Sequence, residues 1–354
     1  MVEVQLVTQK KDVAFAKVQK YITRGPGTIE PPCPSFGPPF FCGGCDWLNL
    51  SYETQLKYKT ELVSEQIQSL NPGIDIPDTI ASPVTQYYRN KAFMPVGKGK
   101  NGLEFGIYER WSHKIVPHKT CFLHPSEFDL IAHRCLELMD NAKVQPYDET
   151  SHIGTLRHIG FRCSKDKKQI LMILVTRSAK LPFSNLLVKK LTSEFPQLSG
   201  IVQNINREKG NVILGNEEKI LYGNPYINEE INNLKFRIHY KSFWQVNSAM
   251  LQLIIKNIQG KVQPEDTVLD TFSGIGVLGL SLAAKVREVF CIEESSAAIE
   301  DGKFNCQLNN IANATFLNGK TEDTLPVILN SPEKYTSKIP EVIILDPPRT
   351  GVQK

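Results

Sequence analysis

Apolar and polar positions alternate through Val2-Glu3-Val4-Gln5-Leu6-Val7 and again through residues 13–18, with a polar break at 8–12. That is the pattern of a β-hairpin. Two strands alone are marginal in water, so the pair is expected to belong to a sheet the chain does not complete. Residues 25–46 are rich in Pro, Gly and Cys and fit no regular element; they predict a loop that holds a ligand. From Ser51, a residue type that caps helices, the spacing of Leu56, Leu62, Val63, Ile67 and Leu70 predicts a helix stopped by Asn71-Pro72-Gly73. Residues 84–120 predict strands and turns, with a turn at 98–102, and residues 126–140 a helix. Two hairpins are predicted in 151–215. One turns at 164–168 between Ile159-Gly-Phe161 and Ile170–Thr176. The other turns at 206–211 between Ile201–Ile205 and Val212-Ile-Leu214. The polar stretch 224–233 predicts a linker, and no internal repeat is present.

From Val262 the pattern changes. Thr267-Val-Leu-Asp270 predicts a short buried strand, followed by the glycine-bearing turn Thr271-Phe-Ser-Gly-Ile-Gly276 and a helix over 277–284. Strands at 289–293, 314–317 and 341–346 and a helix at 297–308 continue the alternation. Strands alternating with helices predict βαβ units and a parallel sheet. A strand–turn–helix with glycines in the turn is a nucleotide-binding signal, because the backbone can approach the ligand and the helix N-terminus faces it. Gly274-x-Gly276 alone does not separate a methyltransferase from a dehydrogenase. Two features favour S-adenosyl-L-methionine. Glu293 ends the second strand, about 17 residues past Gly276, where a carboxylate can accept both ribose hydroxyls; Asp346-Pro-Pro-Arg349 ends the fourth.

The length of 354 residues predicts two or three domains. Hydrophobic residues at 41% and charged residues at 22% exclude a disordered or fibrous chain. The longest apolar runs, such as 170–175, are about six residues, against ~20 for a membrane span. Lys10 and Lys11 interrupt the first apolar positions, so no secretory signal is visible. The expected location is the cytoplasm, with no membrane partner. The net charge of +4 is unevenly spread: residues 151–215 hold eleven Lys/Arg against three Asp/Glu, and residues 261–354 hold nine against thirteen. A basic middle fits a polyanionic partner; a solvated basic face without a partner fits the same count.

Eight cysteines in an intracellular chain do not predict a disulfide framework. Cys33-x8-Cys42-Gly-Gly-Cys45 stands apart as a ligand cluster, while Cys135, Cys163, Cys291 and Cys306 lie in apolar or helical contexts and are expected to be buried.

Taken in order, Cys33…Cys42-Gly-Gly-Cys45, Tyr88-Arg-Asn-Lys91, Ser242-Phe-Trp-Gln-Val-Asn247, Asp270–Gly276, Glu293 and Asp346-Pro-Pro-Arg349 span nearly the whole chain. Together they resemble the RNA uracil-C5 methyltransferase family, which makes 5-methyluridine in rRNA and tRNA. The fold class so implied is α/β. It has a Rossmann-like methyltransferase domain with an incomplete C-terminal part, a central α+β domain carrying the cysteines, and a remnant N-terminal hairpin. The implied boundaries are 1–24 for a remnant of a TRAM-like β-barrel, 25–235 for the central RNA-binding and iron–sulfur domain, and 236–354 for the methyltransferase domain. Gln245, Phe272, Glu293 and Asp346 match the family's S-adenosylmethionine positions, and Arg349 would face the uracil or a phosphate. Cys33, Cys42, Cys45 and Cys121 match the four thiolates of a 4Fe-4S cluster. The first spacing departs from the family's usual Cys-x5-Cys, so a Cys₄ zinc site and free thiols stay open beside the cluster.

The family's chemistry needs a cysteine thiolate that adds to uracil C6 and a glutamate base that removes the C5 proton. Both lie downstream of Asp-Pro-Pro-Arg in the family. The nucleophilic cysteine is therefore expected beyond Lys354, and the chain as given is expected to be an internal piece, cut at both ends, that does not methylate. The implied partner is RNA, with rRNA ahead of tRNA because the cysteine branch with a TRAM remnant more often goes with large-subunit rRNA; the implied state is a monomer. Arg89, Lys91, Arg157, Arg162, Lys165, Lys167 and Lys168 are candidates for phosphate contacts. The alternatives are a tRNA uracil-C5 enzyme, a different Rossmann methyltransferase, and a non-catalytic RNA-binding module on this scaffold.

Overall fold

The computed structural model describes residues 1–332, 335, 339–348 and 351–352. The chain divides into two compact units, Met1–Tyr87 with Phe93–Ile159, and Tyr88–Ala92 with Gly160–Lys354.

In the first unit, β1 (Val2–Gln9) and β2 (Ala14–Tyr21) pair antiparallel from Val2↔Tyr21 to Gln9↔Ala14, as their alternation predicts. Helix α1 (Tyr52–Leu70) starts where expected: the Ser51 hydroxyl accepts the Thr54 N–H at 3.3 Å. Strands β3 (Lys91–Gly99), β4 (Gly102–Tyr108) and β5 (Ile115–Pro117) form an antiparallel meander. Helix α2 (Ser126–Asn141) buries Phe128, Ile131, Ala132, Cys135, Leu136 and Met139 along one face, the 3.6-residue stripe of a core-facing helix.

In the second unit, β6 (Leu156–Cys163), which begins in the first unit, turns into β7 (Ile170–Thr176) through 164–169, closed by Ser164 N–H to the Gln169 carbonyl at 3.0 Å. The second predicted hairpin is different. Helix α3 (Ser184–Glu194) carries the chain over to β8 (Leu198–Ile205), which runs parallel to β7. The antiparallel partner of β8 is β9 (Glu217–Gly223), not 212–214. Two side-chain amides explain the shift. Asn206 Nδ2 donates to the Val212 and Ile213 carbonyls, and Asn204 accepts the Gly215 N–H and donates to the Gly215 carbonyl. These amides satisfy the loop backbone, so the loop has no need of a ladder.

The predicted linker 224–233 is also corrected. It holds β10 (Tyr226–Ile231), which pairs with β11 (Leu234–His239) across Asn232-Asn233, both at positive φ. Ile227, Glu229 and Ile231 point inward in a period of two. Polar residues at the alternate positions hid a strand that the periodicity contains.

After α4 (Ser248–Gln259), the four-stranded parallel sheet has the order β14-β13-β12-β15, from β12 (Thr267–Thr271), β13 (Glu288–Glu293), β14 (Ala314–Asn318) and β15 (Val342–Leu345). This is the α/β architecture the sequence predicts. The expected helix at 277–284 is shorter: α5 (Val277–Leu280) followed by a 3₁₀ turn at Ala283–Lys285. Helices α6 (Ser296–Leu308) and α7 (Thr321–Asn330) complete the unit, and Leu269, Phe290, Ile292 and Ile328 form a core cluster on the sheet. The strand order reverses between β12 and β15, and open α/β sheets bind ligands in the crevice at such a reversal.

The Phe316 ring fixes two glycines. A Cβ on Gly276 would lie 2.6 Å from its Cζ, and one on Gly302 in α6 2.3 Å from the same atom. Gly302→Ala is expected to lose up to about 2 kcal/mol in urea unfolding, because overpacking of about 1–3 kcal/mol opposes the gain of ~1 kcal/mol in helix propensity. A variant as stable as the parent would show that the ring can swing aside.

Candidate active site

The candidate cofactor edge is built at the carboxyl ends of β12, β13 and β15. The glycine turn after β12 is tied to its neighbours at three points. Thr271 Oγ1 donates to the Ile344 carbonyl at 2.7 Å, Ser273 N–H to the Ile292 carbonyl at 3.0 Å, and Gly274 N–H to Glu293 Oε2 at 2.9 Å. Phe272, Gly274 and Gly276 all sit at positive φ, which folds the turn back over the strand end. A Cβ on Gly274 would meet nothing within 4 Å, so the space above this backbone is open to a ligand.

Glu293 is the acidic strand end the sequence singles out. Its other oxygen accepts the Ser295 N–H at 2.8 Å, which fixes the carboxylate rotamer and leaves lone pairs on both oxygens. Asp346, just past β15, accepts a hydrogen bond from Gln245 Nε2 at 3.3 Å. Gln245, Phe272, Glu293 and Asp346 thus belong to one unit, with the turn bonded to Glu293 and Gln245 bonded to Asp346. Arg349 lies outside the described residues.

Two features here were not singled out in the sequence. The first is Asp270 at the end of β12, 1% exposed, whose Oδ2 accepts the Gly279 N–H at 2.8 Å. Burial pushes its carboxyl up to about 7, against the Gly279 hydrogen bond, and the charges of Asp346 and Glu293 add to the rise. Three carboxylates therefore gather at this edge. The second is Asn90, in the Tyr88-Arg-Asn-Lys91 motif. Its N–H donates to the Val246 carbonyl at 2.9 Å, and its Nδ2 to the Gln245 carbonyl and Ser248 Oγ, each at 3.0 Å. Asn90 holds the segment that presents Gln245. Polar-to-backbone bonds of this kind, between residues 155 apart, leave no periodicity to read.

The basic candidates divide. Arg157 and Arg162 are buried, at 4% and 1% exposure, while Lys165 and Lys168 are exposed. Arg162 Nη2 donates to the Ser242 carbonyl at 2.5 Å, and burial together with Arg162 lowers Lys91 to about 7.

In the first unit, Cys33, Cys42 and Cys45 lie on the loop after β2, half-buried, and Cys121 is buried after β5. A Cβ on Gly43 would lie 2.8 Å from the Tyr108 carbonyl, and one on Gly44 2.9 Å from Ile107 Cδ1, so the two glycines press this loop onto β4. Burial raises the Cys42 thiol, and the nearby Cys33 adds to this against the Gly44 N–H and Arg110. Burial pushes Cys121 up to about 11, with contributions from Asp129, Cys42 and Cys33. Three of the four thiols are therefore within electrostatic reach of one another. Cys45 is anchored through its carbonyl, which accepts from Arg110 Nη2 at 3.0 Å.

Cys121 has a second set of neighbours: its ligand atom and those of His118 and His124 lie within 4.8 Å of one another. Asp129, 1% exposed, accepts the Cys121 N–H at 2.9 Å and bonds the Nε2 atoms of His118 and His124 at 3.2 and 2.8 Å. The sequence reading missed this carboxylate. Cys135, Cys163, Cys291 and Cys306 are buried, and burial holds the Cys291 thiol well above its ordinary value. A buried thiol of that kind is no nucleophile.

Residues 51–354 match the family described as tRNA (Uracil-5-)-methyltransferase. The chain belongs to this family. It is 34% identical over 356 residues to an uncharacterized RNA methyltransferase of Halalkalibacterium halodurans, covering 98% of this chain and 75% of that one. It is 33% identical over 353 residues to an uncharacterized RNA methyltransferase of Listeria monocytogenes, covering 99% and 76%. In structure it resembles the Pyrococcus abyssi tRNA (uracil-54, C5)-methyltransferase, solved in complex with S-adenosyl-L-homocysteine. The TM-score is 0.76 at 24% identity, over 99% of this chain and 76% of that one. That likeness establishes the methyltransferase fold. Among the described residues of this family member, no helix is long and apolar enough to cross a membrane.

Proposed function

We propose that this methyltransferase forms 5-methyluridine in RNA, with S-adenosylmethionine as the methyl donor bound over the glycine turn. The observation that carries the reading is the bond from Gly274 N–H to Glu293 at 2.9 Å, which joins the open turn to a fixed carboxylate beside Asp346. A ligand with a ribose diol and a cationic centre suits that set. Glu293 would accept the two ribose hydroxyls. Phe272 would lie against the bound cofactor, and Gln245 would bond its amino-acid end. Asp346 would sit near the methyl donor and the target base. S-adenosylmethionine supplies an electrophilic methyl group there. The attack on uracil C6 needs a thiolate, which the buried Cys135, Cys163, Cys291 and Cys306 are not placed to offer. Arg349 would face the uracil or a phosphate.

Large-subunit rRNA is the first substrate to try and tRNA the second. Calorimetry should show S-adenosylmethionine binding to the chain; the absence of any association would sink the reading. Transcripts of the two RNA classes, offered to the same chain in gel-shift titrations, separate the substrates.

The four cysteines fit a 4Fe-4S cluster. The donor set would be all thiolate, which suits such a cluster. Cys33, Cys42, Cys45 and Cys121 would hold the metal, and the uracil chemistry asks no electron of it, so its part would be structural or in RNA contact. Asp129 supports this by fixing the Cys121 backbone. Purified without oxygen, the chain is expected to carry about four irons with the visible absorbance of a cluster, and Cys42→Ala to lose most of both. Zinc in place of iron would convert the site to a Cys₄ or Cys/His centre.

A further inference from the structure

A cavity of about 680 Å³ lies wholly within the first unit, between β3–β5 and the loop 145–150. We propose that it takes an unpaired nucleobase of the RNA, stacked on Tyr108 or Tyr147 and met at its edge by His158. The inference rests on the RNA reading above and adds a second recognition site to it. The size suits a nucleotide, since small-ligand sites run from roughly 300 to 1,000 Å³.

The aromatic walls are held by their own polar ends. The Tyr108 hydroxyl donates to Glu149 Oε1 at 3.1 Å, and His113 Nδ1 bonds Glu149 Oε2 at 2.5 Å. The Tyr147 hydroxyl is bonded to His152 Nδ1 at 2.7 Å, and the Arg157 guanidinium lies 4.5 Å from the Tyr147 ring centroid. Glu149 and the two hydroxyls are thus engaged with other side chains, and what the walls offer a guest is ring surface. Base–aromatic stacking is the common currency of single-stranded RNA recognition.

His158 supplies the polar edge. It lines the cavity, is 7% exposed, and its Nδ1 is buried without a hydrogen-bond partner. A buried polar atom left so is costly, and a base edge would satisfy it. Burial, with Arg157 adding, lowers His158 to about 4, so at neutral pH the imidazole is uncharged and offers one donor and one acceptor. The charged residues of the lining, Lys98 and Arg157 against Asp148 and Glu149, balance. A neutral heterocycle therefore suits the cavity better than a bare phosphate.

The full chain is titrated with each of the four nucleoside 5′-monophosphates by calorimetry, and with a single-stranded RNA carrying 2-aminopurine by fluorescence. The same is done for His158→Leu, Tyr108→Leu and the exposed-rim variant Lys98→Glu, which keeps the fold if the buried changes do not. The wild type is expected to bind at least one nucleotide. The two wall variants should weaken it five- to a hundredfold, the rim variant about threefold, and the 2-aminopurine quench should fall in step. If the variants bind nucleotide and RNA as the wild type does, the cavity is not the site, while the RNA reading stands. If the wild type binds neither, both fail.

Discussion

Replacing Glu293 by alanine is expected to weaken S-adenosylmethionine binding by at least about a hundredfold. Hydrogen bonds to a charged acceptor contribute about 1.5–3 kcal/mol each, and the proposed diol contact uses two, so the loss is about 3–6 kcal/mol. The carboxylate also accepts Gly274 N–H and Ser295 N–H, and alanine would free the turn that lies under the ligand. Glu293→Gln keeps an acceptor for Gly274 and loses the charge, so about tenfold is expected. Calorimetry on the three proteins, with circular dichroism as a check that the sheet is intact, reads both effects. Binding by the alanine variant within twofold of the wild type would remove Glu293 from the site.

The parallel sheet was legible because its strands are short apolar runs cut by glycine turns and amphipathic helices, a pattern local in sequence. The strand-end positions of Glu293 and Asp346 were legible for the same reason. The β10–β11 hairpin was not, because Asn224–Asn233 is dominated by polar side chains that face solvent while Ile227 and Ile231 point inward. Asp270 and Asp129 were not, because their weight comes from partners brought by folding: Gly279 for one, His118 and His124 for the other. Spacing marked Cys33, Cys42 and Cys45, while Cys121 was joined to them by the family resemblance and not by any local pattern; in the fold, the charges of Cys33 and Cys42 act on the Cys121 thiol.

Asp270 gives the stability of the second unit a pH dependence of predictable sign. Its carboxyl stands at about 7 in the folded chain against 3.8 ordinarily, chiefly through burial. The folded state therefore binds the proton more tightly than the unfolded one. The stability this contributes is fully present below about pH 4 and is lost as pH rises through about 7, a fall of about 4 kcal/mol. Asp270→Asn keeps an oxygen for the Gly279 N–H and cannot ionise. The variant removes the Asp270 ionisation together with its coupling to Asp346 and Glu293, and groups away from this edge titrate alike in both proteins, so the difference between them reports that ionisation. Relative to the wild type, the variant is expected to gain steadily in urea-unfolding free energy from pH 4 to pH 7.5, by about 4 kcal/mol in all. A cationic ligand at the neighbouring Glu293 and Asp346 opposes their effect on Asp270, so S-adenosylmethionine should bind the wild type more tightly at pH 8 than at pH 6, with a smaller change in the variant. A pH-independent stability difference would place the Asp270 ionisation back in the ordinary carboxylate range.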